Sequence, residues 1–223
     1  MEKMKMKNVV LTNARGTLIR AINGNIVAEN CEFSNSRDYL LDLTGGRYQF
    51  IHCTIANYYP NVGNEAGWGN TNNEILSLSD TASTGHYPVL GFDMANSIIA
   101  GRMPSSEISI SMKQDPSEPF HFRNCVFTNN PSEKNYIHYT DCIFEAKADS
   151  LFKKADYTNE KREFWPVYDF GLLEKSPARK VADFEISKLI PLDIKGVNRL
   201  EEGLPDAGAY EFTPALNTSS FLP

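Results

Sequence analysis

The chain has 223 residues, with 22 Lys and Arg against 28 Asp and Glu, a net charge of −6 and a pI near 5.3. That length suffices for one domain with a sizeable core, and a hydrophobic share of 41% argues against wholesale disorder. The acidic balance argues against a nucleic-acid partner, which usually needs a basic face, and no apolar run approaches the roughly 18–20 residues of a membrane span.

The N-terminal stretch "MEKMKMKNVVLTNARG" is basic but has no apolar h-region and no small-residue cleavage site, so it does not read as a signal peptide. "MKMK" alternates and runs straight into a strand pattern. The chain therefore reads as starting inside a structural unit, with upstream coils of a longer pattern missing.

A repeat follows. "NVVLTN" at 8–13, "NCEFSN" at 30–35 and "HCTIAN" at 52–57 start 22 residues apart. "NSIIAG" at 96–101 starts 44 beyond the last of these; "NCVFTN" at 124–129 and "DCIFEA" at 141–146 close the series. A second column aligns Leu18, Ile19 and Ala21 with Leu40, Leu41 and Leu43, then with Ile75, Leu76 and Leu78. A third recurs as "NIVAE", "RYQFI", "VLGFDM" and "FHFR", just before the next asparagine motif. Three alternating segments in about 22 residues leave no room for a βαβ unit. The spacing predicts an all-β fold, a right-handed parallel β-helix. It is a single-stranded solenoid with three sheets and about 22 residues per coil, over residues 1–148.

Alternation then sets which residues face inward. One inward column is Val9, Cys31, Cys53, Ser97, Cys125 and Cys142; the other is Leu11, Phe33, Ile55, Ile99, Phe127 and Phe144. All four cysteines fall in one column, where free cysteine acts as a small hydrophobe. A disulfide is the rival reading, though in-register parallel stacking seldom gives its torsion. Zinc lacks C-x-x-C or H-x-x-x-H spacing, and no metal ligands are assigned. Asn8, Asn30, Asn96 and Asn124 precede the strand, with His52 and Asp141 as variants; Asn13, Asn35, Asn57 and Asn129 follow it. Asparagine at a corner tolerates left-handed backbone, so His52 reads first as a ladder residue and only weakly as a base.

The coil from 52 to 95 is about twice the regular length, with insertions at 58–73 and 80–88. Function on a solenoid concentrates at such interruptions. The first insert holds Tyr58, Tyr59 and Trp68 among Gly and Asn; the second holds His86 and Tyr87. Aromatic rings beside amides suit sugar stacking, because sugars offer apolar faces and hydroxyl edges. The competing reading is that these rings fold the insert back onto the solenoid as a small core. Among carboxylates, Asp38 and Asp42 flank a strand start, and Asp80 and Asp93 lie in the long coil; glycosidase chemistry needs two facing one groove. Arg102 and Lys113 would neutralise a uronate in a lyase.

From about Asp149 the repeat ends, and 149–223 reads as an irregular C-terminal capping segment whose Phe152, Phe164, Trp165, Tyr168 and Phe170 cover the solenoid. Within it stand "DFGL" at 169–172, "SPA" at 176–178, "DIKG" at 193–196 with Asn198 and Arg199, and "PDAGAYEF" at 205–212. These segments, with the coils, resemble secreted Bacteroidetes-type right-handed parallel β-helix repeat proteins of the pectin-lyase-like superfamily. The resemblance implies an extracellular or outer-surface setting beside polysaccharide metabolism. It does not imply catalysis, since the clustered Asp motifs of the hydrolases and the Asp-plus-Arg calcium motifs of the lyases are not matched.

The leading expectation is a non-catalytic carbohydrate-interacting protein whose contact face is Tyr58, Tyr59, Trp68, His86 and Tyr87, with a polysaccharide or oligosaccharide as partner and no cofactor. The alternative is a polysaccharide lyase or glycoside hydrolase using Asp80, Asp93, Arg102 or Lys113, with Ca2+ only for a lyase. A third reading is a structural or adhesion solenoid that self-associates end to end through its open N-terminal coil.

Overall fold

The structure, a computed structural model, describes residues 2–58, 75–101, 108–112, 120–130, 137–155, 168–201 and 203–214. In chain order the strands are β1 (Met4–Lys7), β2 (Val10–Ala14), β3 (Ile19–Glu29), β4 (Glu32–Ser36), β5 (Leu41–Ile51), β6 (Thr54–Asn57) and β7 (Leu76–Ser79). A short hairpin follows, β8 (Thr81–Ala82) and β9 (Gly85–His86), then β10 (Val89–Ala95), β11 (Ile98–Gly101), β12 (Ile108–Ser111), β13 (Phe120–Arg123), β14 (Val126–Phe127) and β15 (Ile137–Thr140). The C-terminal part adds α1 (Ala148–Leu151), β16 (Phe152–Lys154), β17 (Asp169–Leu172) and α2 (Phe184–Leu189). None of the described helices is long and apolar enough to cross a membrane.

The fold is strand-rich and its main sheets are parallel. An eight-stranded sheet runs β1–β3–β5–β10–β13–β15, with β7 beside the first half of β5 and β12 beside β7. A five-stranded sheet runs β2–β4–β6–β11–β14. Successive segments of one repeat thus visit the two sheets in turn. Ile26 faces Tyr48 and Phe33 faces Ile55, each one repeat of 22 residues on.

The sequence predicts three separate sheets, whereas the second and third segments of β3 and β5 are continuous strands of 11 residues. The bend inside each is made by residues that tolerate positive φ: Asn23 (52°), Gly45 (59°) and Gly46 (84°). At Gly46 a Cβ would stand 2.1 Å from the Gly24 carbonyl oxygen, so no side chain fits between these strands. In the long repeat, where β7 and β10 belong to one unit, the β8–β9 hairpin separates the two segments.

The core lies between the sheets. Cys31, Cys53, Ser97 and Cys125, and Phe33, Ile55, Ile99 and Phe127, are all fully buried. Val9, Leu11, Cys142 and Phe144 pack against them half-buried at the ends. Facing them is an aromatic ladder: Phe50 to Phe92 at 5.8 Å, Phe92 to Phe122 at 5.3 Å, Phe122 to Tyr139 at 5.1 Å. Each buried ring contributes on the order of 1.5–3 kcal/mol by leaving water. All four cysteines are free thiols. Cys53 and Cys125 donate to the carbonyls of Ile51 and Arg123, and burial pushes both thiols well up, so they behave as small core residues.

The corner before each strand of the five-stranded sheet is left-handed at Asn8 (55°), Asn30 (53°), His52 (51°), Asn96 (50°), Asn124 (52°) and Asp141 (52°). A short polar side chain lowers the cost of that conformation. In the column after the strand only Asn13 and Asn35 share it; Asn57 and Asn129 are not left-handed.

The outward face of the five-stranded sheet is also buried from β4 to β14, while Val10 and Thr12 on the edge strand β2 stay exposed. The buried positions are Glu32, Ser34 and Ser36 on β4, Thr54 and Ala56 on β6, Ile98 and Ala100 on β11, and Val126 on β14. Small side chains let a second layer approach, and the C-terminal segment supplies it. Leu151, Phe152, Phe170, Leu172, Ala178, Ala207 and Ala209 pack there as a second apolar cluster. Gly208 shows how close the layers are: its φ is 93°, and a Cβ would meet Thr54 Oγ1 and Ile98 Cδ1 at 2.8 Å.

Candidate functional site

The corner residues hold the C-terminal segment. Asn30 Nδ2 donates to the Leu192 carbonyl, Asn124 Nδ2 to that of Val181 at 3.0 Å, and the Asn96 Oδ1 accepts from Asp183 N at 2.7 Å. Arg199, 1% exposed, donates through Nη2 to Asn30 Oδ1 at 2.9 Å and through Nη1 to Glu211 at 2.7 Å. Burial and the Asp206 carboxylate push Glu211 up to about 8, against the pull of Arg199. Asp193 and Asp206 accept backbone N–H groups from Lys195, Val197, Lys180 and Phe212, which folds the segment on itself. Tyr210 donates its hydroxyl to Glu32, and burial together with that carboxylate drives the phenol upward.

His52 belongs to this fastening. Its Nε2 lies 2.9 Å from Ser187 Oγ and 3.1 Å from Asn96 Nδ2. Burial, then the Arg199 cation, holds the imidazole well below its ordinary value. The Ser187–His52 contact has the composition of a nucleophile and base, but both residues are fully buried and the serine hydroxyl is spent on the Asp183 carbonyl at 2.7 Å. The pair fastens the segment; no substrate reaches it.

The aromatic residues expected on a contact face divide. Tyr58 does not stand on one: it is 1% exposed, 6.3 Å from the Phe152 ring and 6.1 Å from Phe170, and its carbonyl accepts from Tyr168 at 2.6 Å. It sits where β6 ends, against the apolar covering layer, which draws the ring inward. Tyr59, Trp68, Arg102 and Lys113 lie outside the described residues. His86 and Tyr87 stand at the β8–β9 hairpin, His86 exposed and Tyr87 half-buried with its hydroxyl on Thr84 at 3.0 Å.

The candidate carboxylates are engaged. Asp80 is 2% exposed, accepts from Thr81 Oγ1 at 2.8 Å and faces His86 Nε2 at 3.2 Å. Asp93 takes both oxygens to Arg123 Nη2, at 3.0 and 2.9 Å, and receives Gln49 Nε2 at 3.3 Å. Asp42 pairs with Arg20 at 2.8 Å. Among the described residues no three His, Cys, Asp or Glu side chains converge as metal ligands.

An open groove of about 340 Å³ lies on the outward face of the eight-stranded sheet. Its polar lining is Lys3, Asn25, Arg47, Gln49, Asp93 and His121. Register explains it. Asn25, Arg47 and Gly91 are paired neighbours on β3, β5 and β10, and Val27, Gln49, Asp93 and His121 on β3, β5, β10 and β13. Gly91 puts no side chain after Arg47, and the surface dips there. Apart from Asp93, these residues were absent from the sequence candidates. The signal was present: in "RYQFI", "GFDM" and "FHFR" they are the alternate positions between the buried aromatics.

Scans against protein-family models, curated proteins and solved structures returned no match for this chain.

Proposed function

We propose that the two parallel sheets are walls of a right-handed parallel β-helix of the pectin-lyase-like kind, and that the chain is a non-catalytic carbohydrate-binding protein of an extracellular or cell-surface setting. The observation that carries this reading is the outward groove. Its amide, imidazole, guanidinium and ammonium groups repeat at the strand spacing, roughly 4.8 Å, around a floor opened by Gly91. Equal steps of donors and acceptors suit a chain of hydroxyl-bearing units. A binding role is favoured over hydrolysis because the groove's one carboxylate among the described residues, Asp93, is committed to Arg123 and Gln49, whereas glycosidases use two.

A second reading, a lyase or hydrolase, draws on one observation. The buried Asp80 orients the exposed His86, as a carboxylate orients a general base.

The test is calorimetric titration of the chain with neutral and uronate-containing oligosaccharides, beside Arg47→Ala, Gln49→Ala and Arg20→Ala. Arg20 lies on the same sheet outside the groove, so its variant should bind normally while the other two weaken. Equal binding by all four proteins would remove the groove assignment. New reducing ends or ultraviolet-absorbing unsaturated products, lost in His86→Ala, would favour the enzymatic reading.

A further inference from the structure

The geometry points to a divalent transition-metal site on the outward face of β13 and β15, built by His121 and His138. The two residues are direct partners in the parallel register, so their side chains leave the sheet on the same side, one strand apart. Their rings lie stacked, with centroids 5.4 Å apart and planes inclined by 23°. His138 is exposed and His121 half-buried, which gives an ion access from solvent.

A tetrahedral ion with nitrogen ligands at about 2.0–2.1 Å brings two imidazole nitrogens to about 3.3 Å of each other. To ligate one ion the rings turn out of their stacked arrangement until their nitrogen lone pairs converge, a movement within side-chain reach because the strands below them are only about 4.8 Å apart. Paired imidazoles select Zn2+, Ni2+ or Cu2+ over the oxygen-seeking Mg2+ and Ca2+.

The neighbouring groups define the ligand count. Asp93 is one strand back in the same column, paired with His121. Its carboxylate is held at 3.0 and 2.9 Å by Arg123, so it neutralises that cation beside the site and is not a third ligand. The remaining coordination positions face solvent at the end of the groove that His121 lines. This site shares His121 with the proposed carbohydrate groove, but its readout is the metal alone, so failure of one reading is distinguishable from failure of the other.

The experiment is titration of the tag-free chain with Zn2+ and Ni2+, with Mg2+ as the oxygen-seeking control, followed by calorimetry and by the shift in thermal unfolding. The chain's four histidines supply the controls. One ion per chain is expected for Zn2+ and Ni2+ and none for Mg2+. Saturable binding should be lost in His121→Ala and in His138→Ala, and kept in His86→Ala and Asp93→Asn, with far-UV circular dichroism unchanged in all four. Binding that survives either groove-end variant, or its absence from the wild-type chain, overturns the site. Loss in Asp93→Asn alone overturns the two-imidazole ligand set.

Discussion

The outward faces of the two sheets began with the same alternating pattern and ended differently. On the five-stranded sheet Ser34, Thr54, Ala56, Ile98, Ala100 and Val126 are small or apolar and lie under a second layer. On the eight-stranded sheet Arg20, Arg47, Gln49, Asp93, Arg123 and His138 keep water or one another as partners. A parallel sheet buried on both faces is the usual arrangement, so it is the open face that needs a reason, and a ligand surface is one. The side-chain inventory of the outward positions separates a face meant for protein from a face meant for solvent.

Breaking the covered face should have the largest effect. Arg199→Ala leaves Glu211 and Asn30 without their buried cation and should cost about 3–5 kcal/mol, read by chemical denaturation, with the C-terminal segment becoming protease-sensitive. If stability holds within 1 kcal/mol, the network is not what fastens the layers. Gly208→Ala should cost about 1–3 kcal/mol, because it adds a methyl group against Thr54 and Ile98 at a φ of 93°.

The third prediction concerns pH. The folded chain holds His52 neutral below its unfolded value of about 6.5. On acidification the unfolded chain therefore gains its proton first. The contribution is whole above about pH 6.5 and is lost as pH falls, by about 1.4 kcal/mol per unit. Glu211 slopes the other way. Its pKa is raised to about 8 in the fold, so its contribution shrinks as pH rises toward that value. The readout is thus wild type minus His52→Asn, between pH 7.5 and 5: the gap should narrow with acid, and a constant gap would refute the neutral-histidine account. The smallest effect belongs to the open face, where Gln49→Ala should change stability by no more than about 0.5 kcal/mol.

Much of this was legible in the chain. The inward columns followed from a two-residue alternation on a 22-residue period, and each member is buried in the core or packed against it. The left-handed corners before the strands followed from asparagine chemistry at four of six aligned positions, with His52 and Asp141 as the variants. Two things were not legible. The covering layer rests on contacts such as Arg199 to Asn30, 169 residues apart, which no period announces. Tyr58 looked like a surface aromatic because it opens an insert, yet it closes β6 and follows the covered face inward. The groove was hidden for a different reason. Its residues were read as markers of the repeat, and only the pairing of Asn25, Arg47 and Gly91 shows where a side chain is missing.

The corner column carries a consequence for the order of assembly. The C-terminal segment is gripped by Asn30, His52, Asn96 and Asn124, which come from four different repeats. Those groups form one line only after the repeats between them have stacked in register. Loop closure over 162 to 178 residues is also slow. Docking of the segment is therefore a late event that measures the stack against a fixed ruler. A chain with one repeat out of step cannot align all four corners, and it leaves the apolar outer face of its second sheet uncovered for a chaperone or protease to find.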